Sequence, residues 1–392
     1  MEQSDIAIVG GGVMGASAAF WLTRADPALS VTVVERDPSY ARAATALSVA
    51  SIRAQFSSAI NVKISRFGFE FVRDFAEWTG PGGGVESLGL RENGYLFLAG
   101  SADGARTLAE NADLQRSLGA ATDLLTPEAL ARAFPWLRTG DVALGALGRR
   151  GEGWFDNMGL LSGLRAASRQ AGARFVRGEV AGLETEGARV TGLRLGDGRR
   201  LAAGAVVLAA GTRTTALLQA IGEESPVEPR KRTVFVIDAP EARHPDAPLL
   251  VDHTGFYLRP EGPYWITATV PQADGPCAAD DFEPDHAQFE EVVWPRLYAR
   301  APDFAAVKVL RAWAGHYDYN RLDQNAIVGR WPGRDGLYVL TGFSGHGLQQ
   351  APAMGRGIAE LILAGAYATL DLSELGPERL ARNAPVLEKA VV

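Results

Sequence analysis

Cysteine is nearly absent from these 392 residues. Cys277 stands alone, so no internal disulfide can form, and the chain suits a reducing compartment. It sits in a polar stretch beside a proline and reads as incidental. Long apolar runs are missing as well. The longest are strand-length, short of the roughly 20 residues that cross a bilayer, so no transmembrane segment is expected. No charged segment followed by an apolar one precedes the first strand pattern, so no targeting peptide is expected. Excess positive charge is also lacking. A net charge of −7 argues against nucleic acid as a partner. Neither internal repeats nor low-complexity tracts occur, and no metal site is expected. What remains is a globular composition, 47% hydrophobic and 22% charged, in a length that suits about two domains. A cytoplasmic location is expected, and peripheral membrane contact stays compatible with it.

The strongest signal lies at the start. Ile6–Val9 reads as a buried parallel strand. It runs into Gly10-x-Gly12-x-x-Gly15, then a helix-compatible Ala16–Leu22, then a second strand, Val31–Val34, ending on Glu35. This is the dinucleotide fingerprint, with its acid about 20 residues past the glycines. Gly10 permits the tight turn, Gly12 lets backbone approach a pyrophosphate, and Gly15 lets helix and strand pack closely. Glu35 can accept hydrogen bonds from ribose hydroxyls. Among 45 glycines the spacing alone means little; the whole strand–turn–helix–strand–acid unit is specific.

Further along, Ala41–Ser51 is rich in small residues, either a plain helix or a surface for a bulky ligand. Apolar spacing predicts a helix over Ile60–Trp78, ended by Pro81–Gly84. A strand is expected at Gly94–Ala99 and a helix at Asp103–Leu118. Thr126 caps a helix that has Pro127 in first position. Leu161–Ala171 reads as a helix, Arg174–Arg177 as a strand, Val180–Leu195 as a strand pair, and Ala205–Gly211 as a strand ending in small residues. Parallel strands with helical crossovers on both sides of an insertion imply a discontinuous nucleotide domain, expected at 1–84, 146–225 and 331–392. Strands at Thr233–Ile237, Phe256–Arg259 and Tyr264–Thr269, the last two a hairpin, place 85–145 and 226–330 in an antiparallel-sheet substrate domain. The fold class is therefore mixed α/β: a Rossmann-like domain plus a second sheet.

The strand Gly336–Thr341 leads into Gly342-Phe-Ser-Gly-His-Gly-Leu348 and a helix expected from about Pro352 to Leu363. A glycine-rich bend opening a helix is a second anion-receptive site. Two such sites suggest a long ligand gripped at both ends, which favours FAD over NAD.

These motifs together, with Ala44–Ser48, Ser51–Ser57, Ala209–Gly211 and Trp313–Asp318, resemble the D-amino-acid oxidase/sarcosine oxidase family over nearly the whole chain. The resemblance implies an FAD-binding Rossmann-like domain, a sheet domain roofing the flavin, and oxidation of an amino acid or N-alkyl amino acid (a D-amino acid, sarcosine or dimethylglycine) to an imine. By position it implies that Gly10, Gly12, Val13, Met14 and Gly15 hold the pyrophosphate, Glu35 the ribose, and Arg36 the adenosine flank. Ala44, Thr45 and Ser48 would line the pyrophosphate and ribityl chain, with Val180, Ala210 and Gly211 near adenine. Gly345, His346, Gly347, Leu348 and Gln349 would face the flavin ring. Two departures stand out. The residues that attach flavin covalently in some sarcosine oxidases have no counterpart, so FAD is expected non-covalently bound. Gln349 replaces a substrate-gripping lysine, and with only four lysines no counterpart exists for the lysine that promotes oxygen reactivity.

Hydride transfer needs orientation more than a strong base. Arg53 is the first candidate anchor for a substrate carboxylate, because a guanidinium grips one through two bonds. A structural arginine is the alternative among 35. Tyr257 resembles a tyrosine over substrate in D-amino-acid dehydrogenases, or is an ordinary sheet aromatic. His316, Tyr317 and Gln349 complete the candidates, while His346 is read as a brace for its loop. The expected electron acceptor is a quinone, an electron-transfer flavoprotein or O2. Two other readings stay open: a non-catalytic flavoprotein, since a mitochondrial respiratory complex assembly factor of the family has a similar Thr-Ala-Leu-Ser stretch, and an NAD-dependent dehydrogenase.

Overall fold

The chain was analysed as a computed structural model that describes residues 2–389. Its β-branched runs form the centre of an eight-stranded sheet. The strand Glu2–Val9 lies parallel between Val31–Glu35 and Arg200–Leu208, with Ile8 opposite Val33 on one side and Val207 on the other. Ile8, Val33 and Val207 are fully buried. Leu337–Thr341 extends the sheet in parallel beyond Arg200–Leu208, and Arg174–Arg177 does so beyond Val31–Glu35. Continuous apolar runs mark strands covered on both faces; helices cover one, and on the other Val190, Leu193 and Leu195 of the strand Arg189–Leu195 pack with Leu217 and Leu218 against Ala7, Val9 and Val206.

Two helices pack on one another beside this sheet. Val13–Ala25 follows the first strand, and Gly347–Ala364 follows Leu337–Thr341. The Ser17 hydroxyl donates to the Ala351 carbonyl at 2.7 Å, and a Cβ at Gly355 would lie 2.2 Å from Ser17 Oγ, so small residues permit the close approach. The second helix begins at Gly347, not near Pro352 as expected. Pro352 is inside it and leaves the Leu348 carbonyl without its helical donor. The preceding bend carries the strain: Gly342, Ser344 and Gly345 have φ of 73°, 50° and 94°.

The second eight-stranded sheet is organised around a long ladder. Val227–Asp238 pairs antiparallel with Lys308–Asn320, and Tyr264–Thr269 lies on its other side with Val234 opposite Ala268. The expected hairpin is present, Phe256–Glu261 against Tyr264–Thr269. The sheet is mixed rather than wholly antiparallel, because Leu249–Val251 runs parallel to Tyr95–Ala99. Leu144–Arg150 pairs in this sheet, and Ile327–Arg330 pairs in the first. The changeover between sheets therefore falls a few residues from the expected boundaries at 146 and 331. The helix expected over Ile60–Trp78 is two, Ala59–Arg73 and Phe75–Thr79, interrupted at Asp74. The helix expected from Leu161 starts at Asn157, where Asp156 caps it by accepting from the amides of Met158 and Gly159. Among the described residues no helix is long and apolar enough to cross a membrane.

Candidate functional site

A cavity of about 490 Å³ is lined by residues of both sheets. Every residue expected at the cofactor or substrate lines it except Gly15. That exception has a cause: a Cβ at Gly15 would lie 1.9 Å from the Gly10 carbonyl oxygen, so Gly15 serves helix–strand packing. Gly12 differs. The nearest atom to its added Cβ is Thr45 Oγ1 at 3.4 Å, so the protein itself leaves room there. The space belongs to the cavity.

At the first helix N-terminus, Thr45 Oγ1 accepts from the Val13 amide at 3.1 Å. The Glu35 carboxylate accepts from the amides of Gly11 and Asp37 at 2.7 and 2.8 Å, which fixes its orientation toward the cavity. The short helix Ala44–Leu47 is tied to the helix Asn157–Gln170 on one side and to the second sheet on the other. Asn157 donates to the Thr45 carbonyl at 2.6 Å, and the Trp313 indole donates to the Leu47 carbonyl at 2.9 Å. Val180, Ala210 and Gly211 line the far end beside Arg36 and Arg213, the latter paired with Glu179 at 3.2 Å.

The other end is built around Arg53. Its side chain is buried, with Nη2 3.2 Å from His346 Nε2 and Nη1 donating to the Gln55 carbonyl. The guanidinium lies 4.1 Å from the Phe56 ring centroid and 5.2 Å from that of Phe97. Among the described residues no carboxylate is ion-paired with it. Burial lowers the Arg53 pKa, and burial with the Arg53 charge pushes His346 down to about 3, so that ring is neutral.

Gln349 does not face the substrate space with a free amide. Its Oε1 accepts from the Arg53 backbone N–H at 2.7 Å, and its Nε2 donates to Ser65 Oγ at 3.2 Å. It is a strut that holds Arg53. His316 is tied too: Nε2–H donates to the Asp281 carbonyl at 2.6 Å and the ring stacks on Phe282 at 4.1 Å. Tyr257 and Tyr317 line the cavity as expected, and burial raises both phenol pKa values. The sequence reading gave no role to Tyr95, Phe97 or Asp318, which also line it, as does Arg232, which with Arg230 was the second choice after Arg53 for the carboxylate anchor. Arg232 is held by both oxygens of Asp274, at 2.7 and 3.1 Å, and sits 5.0 Å from the Tyr317 ring centroid. Burial pushes the Asp318 carboxyl up to about 6. An aromatic run in the strand Tyr95–Ala99 was the available signal for the first two. Cys277 does not line the cavity, and among the described residues no cluster of metal-binding side chains occurs.

The residues present fit a dinucleotide. Two helix N-termini open onto one elongated cavity, with a Cβ-sized space at Gly12 and an oriented acid at Glu35. The family model described as FAD dependent oxidoreductase (DAO) matches residues 5–361. FAD-dependent oxidoreductase domain-containing protein 1 of Xenopus laevis is 39% identical, with 100% of this chain and 85% of that protein covered. Its Bos taurus counterpart is 40% identical over 95% of this chain and 84% of its own length. The crystal structure of L-proline dehydrogenase from P. horikoshii superposes with a TM-score of 0.86 at 26% identity, covering 97% of this chain and 98% of that one.

Proposed function

The chain belongs to the FAD-dependent oxidoreductase family, its cofactor is FAD, and we propose that it oxidises the carbon–nitrogen bond of a small amino acid or N-alkyl amino acid to an imine. FAD, when bound, supplies the two-electron acceptor for the hydride leaving the substrate carbon. The observation that carries the reading is Arg53, a buried guanidinium lining the cavity without a carboxylate of its own. An unpaired buried cation is costly, and a substrate carboxylate would compensate it.

Each neighbouring group then has a task. Gln349 and His346 hold the anchor in place. Tyr257, Tyr317 and Phe97 wall the substrate space and keep water out, which strengthens the charge pair. The free amides opening the helix at Gly347 present a fixed positive dipole toward the cavity. No strong base is required when the amine arrives neutral. Residues 1–84, 146–225 and 331–392 would carry the FAD, and 85–145 with 226–330 would wall the substrate space. The overall likeness to L-proline dehydrogenase supports an amino acid whose nitrogen carries carbon. We further infer non-covalent FAD, a cytoplasmic location, and transfer of electrons to a quinone or electron-transfer flavoprotein rather than O2.

The test is an anaerobic titration of the purified flavoprotein with a panel: glycine, sarcosine, dimethylglycine, proline and D-amino acids. At least one should bleach the flavin. A flavin that none of them reduces, while dithionite does, would make the protein a non-catalytic flavoprotein.

A further inference from the structure

Behind Arg53, outside the cavity wall, lies a second carboxylate with no role in the reaction described above. Glu152 is 1% exposed. Its Oε1 accepts from the Ala54 backbone N–H and its Oε2 from Gln55 Nε2, both at 2.8 Å. Those are the two residues after Arg53, and the Gln55 carbonyl in turn accepts from Arg53 Nη1. The backbone makes room for this carboxylate: a Cβ at Gly148 would lie 2.2 Å from Glu152 Oε2. Glu152 thus grips the segment that aims the anchor, and its charge favours the guanidinium without touching it.

The other groups facing Arg53 are already committed. Glu388 is held by the Ser57 amide, the Ser57 and Ser58 hydroxyls and Asn61 Nδ2. The Tyr95 hydroxyl donates to Ser51 Oγ at 2.9 Å, Tyr317 is a phenol with its pKa raised by burial, and His346 is neutral. A carboxylate arriving at Arg53 brings one more anion into this buried group, and among the described residues only Ala54 and Gln55 donate to the Glu152 carboxylate.

We propose that Glu152 is a positioning residue that acts on Arg53 through Ala54 and Gln55, and takes up one proton from solvent when a carboxylate occupies Arg53. The proton comes from buffer, so the ligand's negative charge is balanced and the net charge around Arg53 stays constant. Burial already pushes the Glu152 carboxyl up to about 7. An added anion raises it further, so the ligand prefers the protonated form. Affinity is then flat below about pH 7 and weakens by up to about tenfold per pH unit above it, until the pKa of the complex is passed.

The inference rests on Arg53 being the carboxylate anchor, and the experiment separates the two. Benzoate serves as a non-oxidisable probe, titrated into the FAD-loaded enzyme and followed by flavin absorbance between pH 5.5 and 9. Calorimetry at pH 7.5 in two buffers of different ionisation enthalpy counts protons. The expected result is net uptake of up to about three quarters of a proton in the wild type, since about a quarter of free Glu152 is already protonated at that pH, and none in Glu152→Gln, which loses the pH dependence but keeps benzoate binding. Benzoate affinity indifferent to Arg53→Ala would sink the anchor, and this proposal with it. Binding that needs Arg53 but takes up no proton overturns Glu152 alone, as does uptake that persists in Glu152→Gln. Where the variant does not fold, wild-type binding without proton uptake still overturns the proposal, and Glu152→Asp, which keeps a carboxyl, is expected to keep the uptake.

Discussion

Nη2 of Arg53 lies 3.2 Å from Nε2 of His346. A guanidinium only donates, so the ring nitrogen accepts, and His346 carries its proton on Nδ1. Its pKa, pushed down to about 3 first by burial and then by Arg53, agrees with that geometry. A His depressed in the folded state binds fewer protons than the unfolded one between about pH 3 and 6.5. Its contribution therefore makes stability fall as the pH drops through that window. Histidine NMR of the loaded enzyme should show a His346 ring that stays neutral from pH 8 to 5. A titration near its ordinary value would mean the pair does not form. His346→Leu, which strands the Arg53 donor, should raise KM for the substrate about tenfold.

Arg53→Ala should lower kcat/KM by about 2 kcal/mol or more, roughly thirtyfold, with little change in the flavin spectrum. The alternatives Arg230 and Arg232 are already paired, Arg230 with Glu228 and Asp274 and Arg232 with Asp274. Wild-type kinetics in the Arg53 variant would transfer the anchor to Arg232, which lines the cavity where Arg230 does not.

The nucleotide half was legible because its signals are local. Turn, helix and acid follow one another within 35 residues, and each motif dictates its own conformation. The substrate half was legible only in part: its apolar strands and hairpin showed, but its long ladder carries polar residues that no periodicity marks. Glu228–Arg232 and Gly315–Asp318 pair across it and look like loop in sequence. Gln349 and His316 line the cavity, yet their side chains are engaged by Arg53, Ser65 and Asp281, far away along the chain. Spacing shows where a residue goes and is silent on what already holds it. The misplaced helix start shows the same limit. A proline usually marks a first turn, but strained backbone at Ser344 and Gly345 starts the helix before Pro352 is reached.

Gly12 separates folding from cofactor binding. A small side chain there meets only Thr45 Oγ1 at 3.4 Å, so Gly12→Ala should fold. The same atoms occupy the space expected for pyrophosphate, so FAD affinity should drop at least tenfold, and Gly12→Glu should lose it altogether. Gly15→Ala should instead fail to fold, since its Cβ would meet backbone. Thermal unfolding of the flavin-free proteins, with FAD titration alongside, checks both. Acid precipitation of the wild type should leave a white pellet and a yellow supernatant. A yellow pellet would show covalent attachment. Normal FAD content in Gly12→Glu would place the pyrophosphate elsewhere.

The last prediction concerns the fate of the electrons. Reduction of oxygen begins with one electron and forms superoxide, which a fixed, uncompensated cation beside the flavin stabilises. Among the described residues no lysine lines the cavity. Lys231, one strand residue from Arg232, is bound to Asp281 at 2.7 Å, and Arg232 is neutralised by Asp274. The strand Tyr264–Thr269 supplies only neutral side chains. Arg53 remains, and a bound substrate or product carboxylate cancels its charge. Lys231, Arg232 and Arg53 are therefore all compensated when electrons are ready to leave. Enzyme reduced by substrate and mixed with air-saturated buffer should reoxidise more slowly than it turns over with a quinone or a flavoprotein acceptor. Stopped-flow absorbance measures the rate, and peroxide is assayed in the same mixture. Reoxidation that keeps pace with turnover and yields one peroxide per substrate would make the protein an oxidase and reject acceptor-linked dehydrogenation.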